Sequence, residues 1–151
     1  MKVLFLDIEG VLNHENFFLK RAEMAEENNF LPYPLNQFDP LCVERVNRIL
    51  DETDAKLVIS SSWRFTKGLD IILTTVGLKH PIFDTTPCLP NKMRGEEVAL
   101  WLKNHPDFDT YAILDDDGDF LDEQKKYLVQ TFFMEGLTDS LMEKTIKILK
   151  S

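Results

Sequence analysis

Carboxylate side chains collect at two points where apolar stretches of the chain end. The segment KVLFLD ends in Asp7, and Glu9 follows two positions later. The segment TYAILDD ends in Asp115 and Asp116. Two like charges about 4 Å apart repel by roughly 4 kcal/mol at an effective dielectric constant near 20, so a fold that brings these acids together needs a cation or a bound proton. Carboxylates without histidine or cysteine beside them suit Mg²⁺ better than zinc.

Hydroxyl and basic side chains follow two further predicted elements. In LVISSSWR, hydroxyl side chains begin at Ser60, at the end of the second predicted strand, and Ser61 and Ser62 also suit the capping of a turn. Arg64 either contacts the substrate or pairs with an acid of the same edge. NKMRG supplies Lys92 or Arg94 at the start of a predicted helix, and Arg94 is preferred because it falls in the first turn. Acids, hydroxyls and a base together point to metal-assisted phosphoryl transfer.

The elements that must position these residues alternate along the chain. Apolar periodicity predicts strands and helices in β-α-β order, which favours an α/β Rossmann-like open parallel sheet of about five strands with helices on both faces. Because parallel strands share a carboxyl edge, the candidate residues meet in one crevice there. The predicted strands are 2–7, 55–60, 81–84, 110–116 and 127–132, and the predicted helices are 40–54, 68–77, 94–105 and 138–150.

Composition limits the possible functions. The 151 residues suit one domain, 1–151, and the net charge of −9 argues against bulk attraction to nucleic acid, although a local basic pocket could still bind one phosphate. No apolar run is long enough for a membrane helix, and no export signal is visible. Two cysteines, Cys42 and Cys88, make no disulfide framework, so we expect a cytoplasmic protein.

The four motifs occur in the order and spacing of a known family. FLDIEGVLN, LVISSSWR, a basic residue at 92–94 and AILDD together resemble the haloacid dehalogenase-like (HAD) phosphohydrolases, and most closely their small domains in bacterial, phage and RNA-repair proteins. The resemblance implies that Asp7 is a nucleophile that forms an aspartyl-phosphate, and that Ser60, or Ser61 one residue further on, binds a phosphate oxygen. It also implies that Lys92 or Arg94 neutralises charge on the transferring group.

The resemblance further implies a Mg²⁺ site and one departure from the family pattern. Asp7, the backbone carbonyl of Glu9, Asp115 and Asp116 would hold the ion. Glu9 stands where the family usually has the Asp that acts as general acid and base, and its extra methylene moves the carboxylate by about a bond length. We expect a Mg²⁺-dependent phosphatase. The alternatives are a phosphotransferase, a weakened phosphate binder, or a structural module indifferent to Asp7→Asn.

The substrate is predicted only as a class. It carries a phosphate, either on a small molecule or on a nucleic-acid end. The insert 14–39 has no strand pattern and occupies the place of the flap or cap of HAD proteins, so we expect a flap or minimal cap. Phe17, Phe18, Phe30 and Tyr33 either line the entrance of the site or pack on the sheet edge.

Other noticeable residues receive structural interpretations. Trp63 and Trp101 are expected to serve packing because their neighbours are apolar. His14 is expected to be an exposed loop histidine. Asp117 belongs to an acidic solvated loop, and Asp119 could support the metal shell.

Overall fold

The computed structural model of the chain describes residues 1–26 and 31–151. Strands and helices follow one another in this part of the chain, with two α-helices between the first two strands and only a 3₁₀ helix between the last two. The strands are β1 (Lys2–Leu6), β2 (Lys56–Ile59), β3 (Ile82–Thr85), β4 (Thr110–Asp115) and β5 (Leu128–Gln130), and the α-helices are α1 (Glu15–Glu26), α2 (Pro40–Thr53), α3 (Leu69–Thr75), α4 (Arg94–Asn104) and α5 (Asp139–Lys150).

The five strands form one parallel sheet. Its order is β3-β2-β1-β4-β5, so β1 lies in the centre between β2 and β4. The carboxyl ends of these three neighbours therefore share one edge, where a ligand site is expected in an open α/β sheet. The prediction of a Rossmann-like α/β fold is confirmed.

Alternate residues of β1 supply the two cores. Leu4 and Leu6 pack in a large core with α2, α3 and α5. Val3 and Phe5 pack in a second core on the other face, with Trp101 of α4. Successive side chains of a strand point to opposite faces, so a continuously apolar strand is covered on both sides. Helices on both faces are thus confirmed.

Element ends depend on caps more than on apolar pattern. Asp39 accepts the Leu41 N–H at 3.0 Å and begins α2 with proline next, as predicted. Asp54 adopts a left-handed conformation, φ 58°, and ends the same helix. Strand β5 is shorter than the predicted 127–132: a 3₁₀ helix, Asp122–Tyr127, takes its first residue, and the strand ends at Gln130.

The insert 14–39 contains helix α1 and is fixed at both ends. His14 is buried and its Nε2 lies 2.7 Å from Asp39 Oδ2, so the prediction of an exposed loop histidine was wrong. The sequence offered no sign of the partner, which lies 25 positions away. This contact joins the first and last parts of the insert.

The aromatic residues of the insert differ in exposure. Phe17 and Phe18 are half-buried and lie against each other, with ring centroids 5.8 Å apart. Tyr33 is 74% exposed, and Phe30 lies outside the described residues. No helix in residues 1–26 or 31–151 has the length and apolar character that a membrane span requires.

Candidate active site

Three carboxylates meet at the carboxyl edge of the sheet. Asp7 follows β1 directly, donates its backbone N–H to Leu114 O at 2.9 Å and is 3% exposed. Asp115 is the last residue of β4 and is fully buried, with the half-buried Asp116 next to it. One carboxylate oxygen from each of Asp7, Asp115 and Asp116 lies within 4.8 Å of the others. The predicted convergence is therefore present.

Arg94 joins two of these acids. It is the first residue of α4, and its Nη1 lies 3.0 Å from Asp7 Oδ1 and 3.0 Å from Asp115 Oδ2. Burial lowers the pKa of the guanidinium, but the two carboxylates raise it, and the net direction is upward. One positive charge among three carboxylates leaves two negative charges uncompensated, which is the charge of one divalent cation.

Without a cation, burial makes the three carboxyl groups harder to ionise. Burial raises the pKa of Asp115 to about 6, and the charge of Asp7 acts in the same direction. Burial also raises the pKa of Asp7, more than the Arg94 charge lowers it. The pKa of Asp116 is raised by burial and by Asp115. An all-oxygen set of acids that resist ionisation fits Mg²⁺, whose charge would favour the ionised forms.

Gly10 allows the turn after β1 to pass close to Asp116. Its φ is +75°, and a Cβ on its backbone would lie 2.6 Å from Asp116 Cγ. Asn13 Oδ1 accepts the Gly10 N–H at 2.9 Å, and the Thr131 hydroxyl donates to Gly10 O at 2.7 Å. Only glycine fits both the left-handed conformation and this close approach.

Comparison with known proteins assigns the family. A family model described as "HAD domain in Swiss Army Knife RNA repair proteins" matches residues 3–142. The chain belongs to this HAD family. No curated protein and no solved structure matches the chain. The resemblance predicted from the motifs is confirmed, and family membership supports a hydrolase-type role for the HAD domain.

The three serines after β2 have different environments. Ser60 is fully buried, and its hydroxyl has no hydrogen-bond partner among the residues that the structure describes. The Ser61 hydroxyl accepts the Trp63 N–H at 3.1 Å and caps the 3₁₀ helix Ser62–Phe65. The exposed Ser62 lines a cleft of about 380 Å³ that also contains the three acids. Ser60 and Ser61 do not line this cleft. Their role in binding a phosphate oxygen stays a prediction.

Arg64 pairs with an acid of the same edge, the second of its two predicted roles. Its side chain is 5% exposed, and Nη2 lies 3.1 Å from Glu97 Oε2 in α4. Nη1 donates to Ser60 O at 2.9 Å and to Ser61 O at 3.1 Å. Arg64 therefore ties the loop after β2 to α4. Sequence reasoning missed Glu97, which also accepts the Leu89 N–H and borders the cleft.

Lys92 and Arg94 both reach the cleft and are not equivalent. Arg94 contacts Asp7 and Asp115, whereas Lys92 is an exposed residue of the lining. This geometry places Arg94 beside Asp7 and leaves Lys92 at the rim. Asp117 and Asp119 line the same cleft. None of the residues that line it comes from the described part of the insert 14–39, so the flap stays a prediction.

Glu9 is held by a tryptophan. Its exposed carboxylate borders the cleft, and Oε1 accepts the Trp63 Nε1–H at 2.6 Å. Trp63 also packs on Phe38, with centroids 5.2 Å apart, so the predicted packing role covers only part of what it does. Trp101 is a core residue, 2% exposed, as predicted.

Proposed function

We propose that this HAD domain is a Mg²⁺-dependent phosphatase that hydrolyses a phosphate monoester through an aspartyl-phosphate on Asp7. The observation that carries the proposal is the convergence of three carboxylates within 4.8 Å, two of them joined by Arg94 at 3.0 Å. A buried acidic cluster with one arginine suits a divalent cation and a phosphate dianion together.

The metal would be held by Asp7, Asp115, Asp116 and the backbone carbonyl of Glu9. Bound there, Mg²⁺ would offset the negative charge of the cluster and of the phosphoryl oxygens. Arg94 fixes one oxygen of Asp7 and favours its ionised form, so the other oxygen is free to attack phosphorus. Lys92 at the rim can pair with a phosphoryl oxygen, and the Ser62 hydroxyl, which lines the cleft, can donate to one. The Ser60 hydroxyl, which has no partner among the described residues, stays a candidate for the same role.

Glu9 would move the proton in both halves of the reaction. As the bond between phosphorus and the leaving oxygen breaks, Glu9 donates its proton to that oxygen. The resulting carboxylate then takes a proton from the water that attacks phosphorus, and Asp7 is released with inorganic phosphate. The cleft borders Glu9 and Asp7 together, so the acid and the nucleophile face the same space.

The family description and the net charge support one substrate class. The family is described by its RNA-repair proteins, which favours a phosphorylated nucleic-acid end over other phosphate esters. With a net charge of −9 the chain would engage such an end locally, through Lys92 and Arg94, and not along a duplex. Two free cysteines, one of them exposed, suit a reducing cytoplasmic setting.

Phosphotransfer to an acceptor other than water is the second candidate function, because Glu9 departs from the family pattern.

Hydrolysis of an aryl phosphate, with Mg²⁺ or with EDTA, tests the proposal. Wild type, Asp7→Asn and the surface control Asp107→Asn are compared, and the folded state of each is checked by its melting temperature. We expect phosphate release that requires both Mg²⁺ and Asp7 and is unchanged in Asp107→Asn. Equal rates for wild type and Asp7→Asn would refute the nucleophile. A panel of 5′- and 3′-phosphorylated oligonucleotides and nucleotides then ranks the substrate classes.

A further inference from the structure

The contact between Glu9 and Trp63 joins two loops at the carboxyl edge. Glu9 lies in the turn after β1, and Trp63 lies in the 3₁₀ helix after β2. The Trp63 indole N–H donates to Glu9 Oε1 across 2.6 Å, so the two side chains are in direct hydrogen-bond contact. Glu9 is exposed, and among the described residues this is the hydrogen bond that its carboxylate makes, so the contact orients the carboxylate.

The indole that holds Glu9 is itself fixed on several sides. The Trp63 backbone N–H donates to the Ser61 hydroxyl at 3.1 Å. The ring packs edge-on against Phe38 at 5.2 Å and against the large core. The next residue, Arg64, is anchored to Glu97 of α4 at 3.1 Å. A donor fixed in this way loses little freedom when it binds a carboxylate, so the hydrogen bond can place Glu9 accurately.

We propose that Trp63 is a positioning residue that adapts the site to Glu9 and selects which oxygen of Glu9 moves the proton. The inference rests on the proposed function. An indole N–H only donates, so the oxygen bound to it, Oε1, must act as an acceptor. The indole occupies Oε1, so we assign the transferable proton to Oε2, which is free of this contact. Oε2–H gives its proton to the leaving oxygen as the bond from phosphorus to that oxygen breaks, and Oε2 later takes a proton from the attacking water.

The length of the side chain makes this dependence specific to glutamate. Aspartate at position 9 is shorter by one carbon–carbon bond of about 1.5 Å. With the same backbone, its carboxylate would lie about 4 Å from the indole nitrogen, beyond hydrogen-bond distance. Removal of the Trp63 N–H should therefore lower turnover when residue 9 is Glu and leave turnover nearly unchanged when residue 9 is Asp.

A cycle of four proteins tests this coupling. They are wild type, Trp63→Phe, Glu9→Asp and the double variant, assayed for Mg²⁺-dependent turnover. We expect Trp63→Phe to lower kcat about tenfold in wild type, a change of about 1.4 kcal/mol, with KM changed less than twofold. In the Glu9→Asp background the same change should alter kcat less than twofold. Trp101→Phe is the matched control, because Trp101 also donates its indole N–H to a carboxylate, Asp84 Oδ2 at 2.8 Å.

An indole signal reports the contact without turnover. The chain has two tryptophans, so ¹⁵N-labelled protein gives two indole N–H resonances, and Trp63→Phe identifies the resonance of Trp63. We expect Glu9→Asp to move only the Trp63 resonance. Equal losses of kcat in both backgrounds, or an unmoved Trp63 resonance, would overturn the inference while leaving the phosphatase intact. Absence of any turnover that depends on Asp7 would instead refute the proposed function on which the inference rests.

Discussion

Replacement of Asp115 by asparagine should stabilise the metal-free protein while abolishing its response to Mg²⁺. Asp115 is fully buried, and burial together with the charge of Asp7 raises its pKa to about 6. The native state therefore holds a proton more tightly than the unfolded chain, whose ordinary value is 3.8. Above pH 6 the ionised carboxylate lowers the free energy of unfolding, and this loss is relieved as the pH falls from 6 toward 3.8.

The expected magnitude follows from the pKa and the hydrogen bonds. The difference between about 6 and 3.8 corresponds to about 3 kcal/mol at pH 7.5. Asparagine offers one acceptor where Asp115 accepts from both Arg94, at 3.0 Å, and the Asp117 N–H, at 2.9 Å, so about 1 kcal/mol is lost again. A net gain of about 2 kcal/mol raises the melting temperature of a chain of this size by about 4–8 °C.

Thermal unfolding of wild type, Asp115→Asn and the surface control Asp107→Asn measures this effect. In EDTA at pH 7.5 we expect Asp115→Asn to melt above wild type, and at pH 5 the difference should shrink because wild type is then largely protonated at Asp115. Mg²⁺ at about one hundred times its Kd should stabilise wild type by about 2.7 kcal/mol, and Asp115→Asn by much less. A lower melting temperature in EDTA, or an equal gain from Mg²⁺, would refute this reasoning.

Two further predictions use pairs of residues as internal controls. Gly10→Ala and Gly68→Ala both place alanine at a positive φ, +75° and +77°, which by itself should lower the stability of each variant by about 1 kcal/mol. Gly10→Ala should lose more than Gly68→Ala, because its Cβ would lie 2.6 Å from Asp116 Cγ. Only Gly10→Ala should also lose the Mg²⁺-induced rise in melting temperature, because its Cβ meets Asp116 whereas the space at Gly68 is open. Burial raises the pKa of the Cys42 thiol to about 12, and Cys88 is exposed. A thiol reagent at pH 8 should therefore label one cysteine in the native protein and two in denaturant, and Cys88→Ser should abolish the native reaction.

The sequence predicts the main features of the site because they follow from strand order and polarity. Asp7 and Asp115 end apolar strands, and parallel strands bring such ends to one edge whatever the details of packing. Arg94 could be proposed because it opens a helix with a clear apolar face. Arg94 Nη1 lies 3.0 Å from a carboxylate oxygen of each acid. All three residues could be proposed without knowledge of side-chain conformation.

The pairing of side chains between distant elements could not be predicted in the same way. Arg64 had two acceptable partners, and only the approach of α4 to the loop after β2 selects Glu97. His14 had no visible partner because Asp39 follows a long insert. The apolar neighbours of Trp63 predict that its ring packs in the core. No periodic pattern in the sequence indicates that its indole N–H donates to Glu9. Periodicity reports which face a residue occupies and is silent on which atoms meet across a crevice.

A close approach of two backbones links the acids to the arginine that balances them. A Cβ on Gly95 would lie 2.6 Å from Gln124 Oε1 and 2.8 Å from Phe120 Cα, so only glycine lets α4 begin against the loop after β4. Gln124 Nε2 then donates to Gly95 O at 2.8 Å and closes this contact. Arg94 precedes that glycine, and the same loop follows Asp115. The contact that holds α4 at the sheet edge therefore also sets the distance of 3.0 Å between Arg94 Nη1 and Asp115 Oδ2. The position of the positive charge depends on packing as much as on electrostatic attraction.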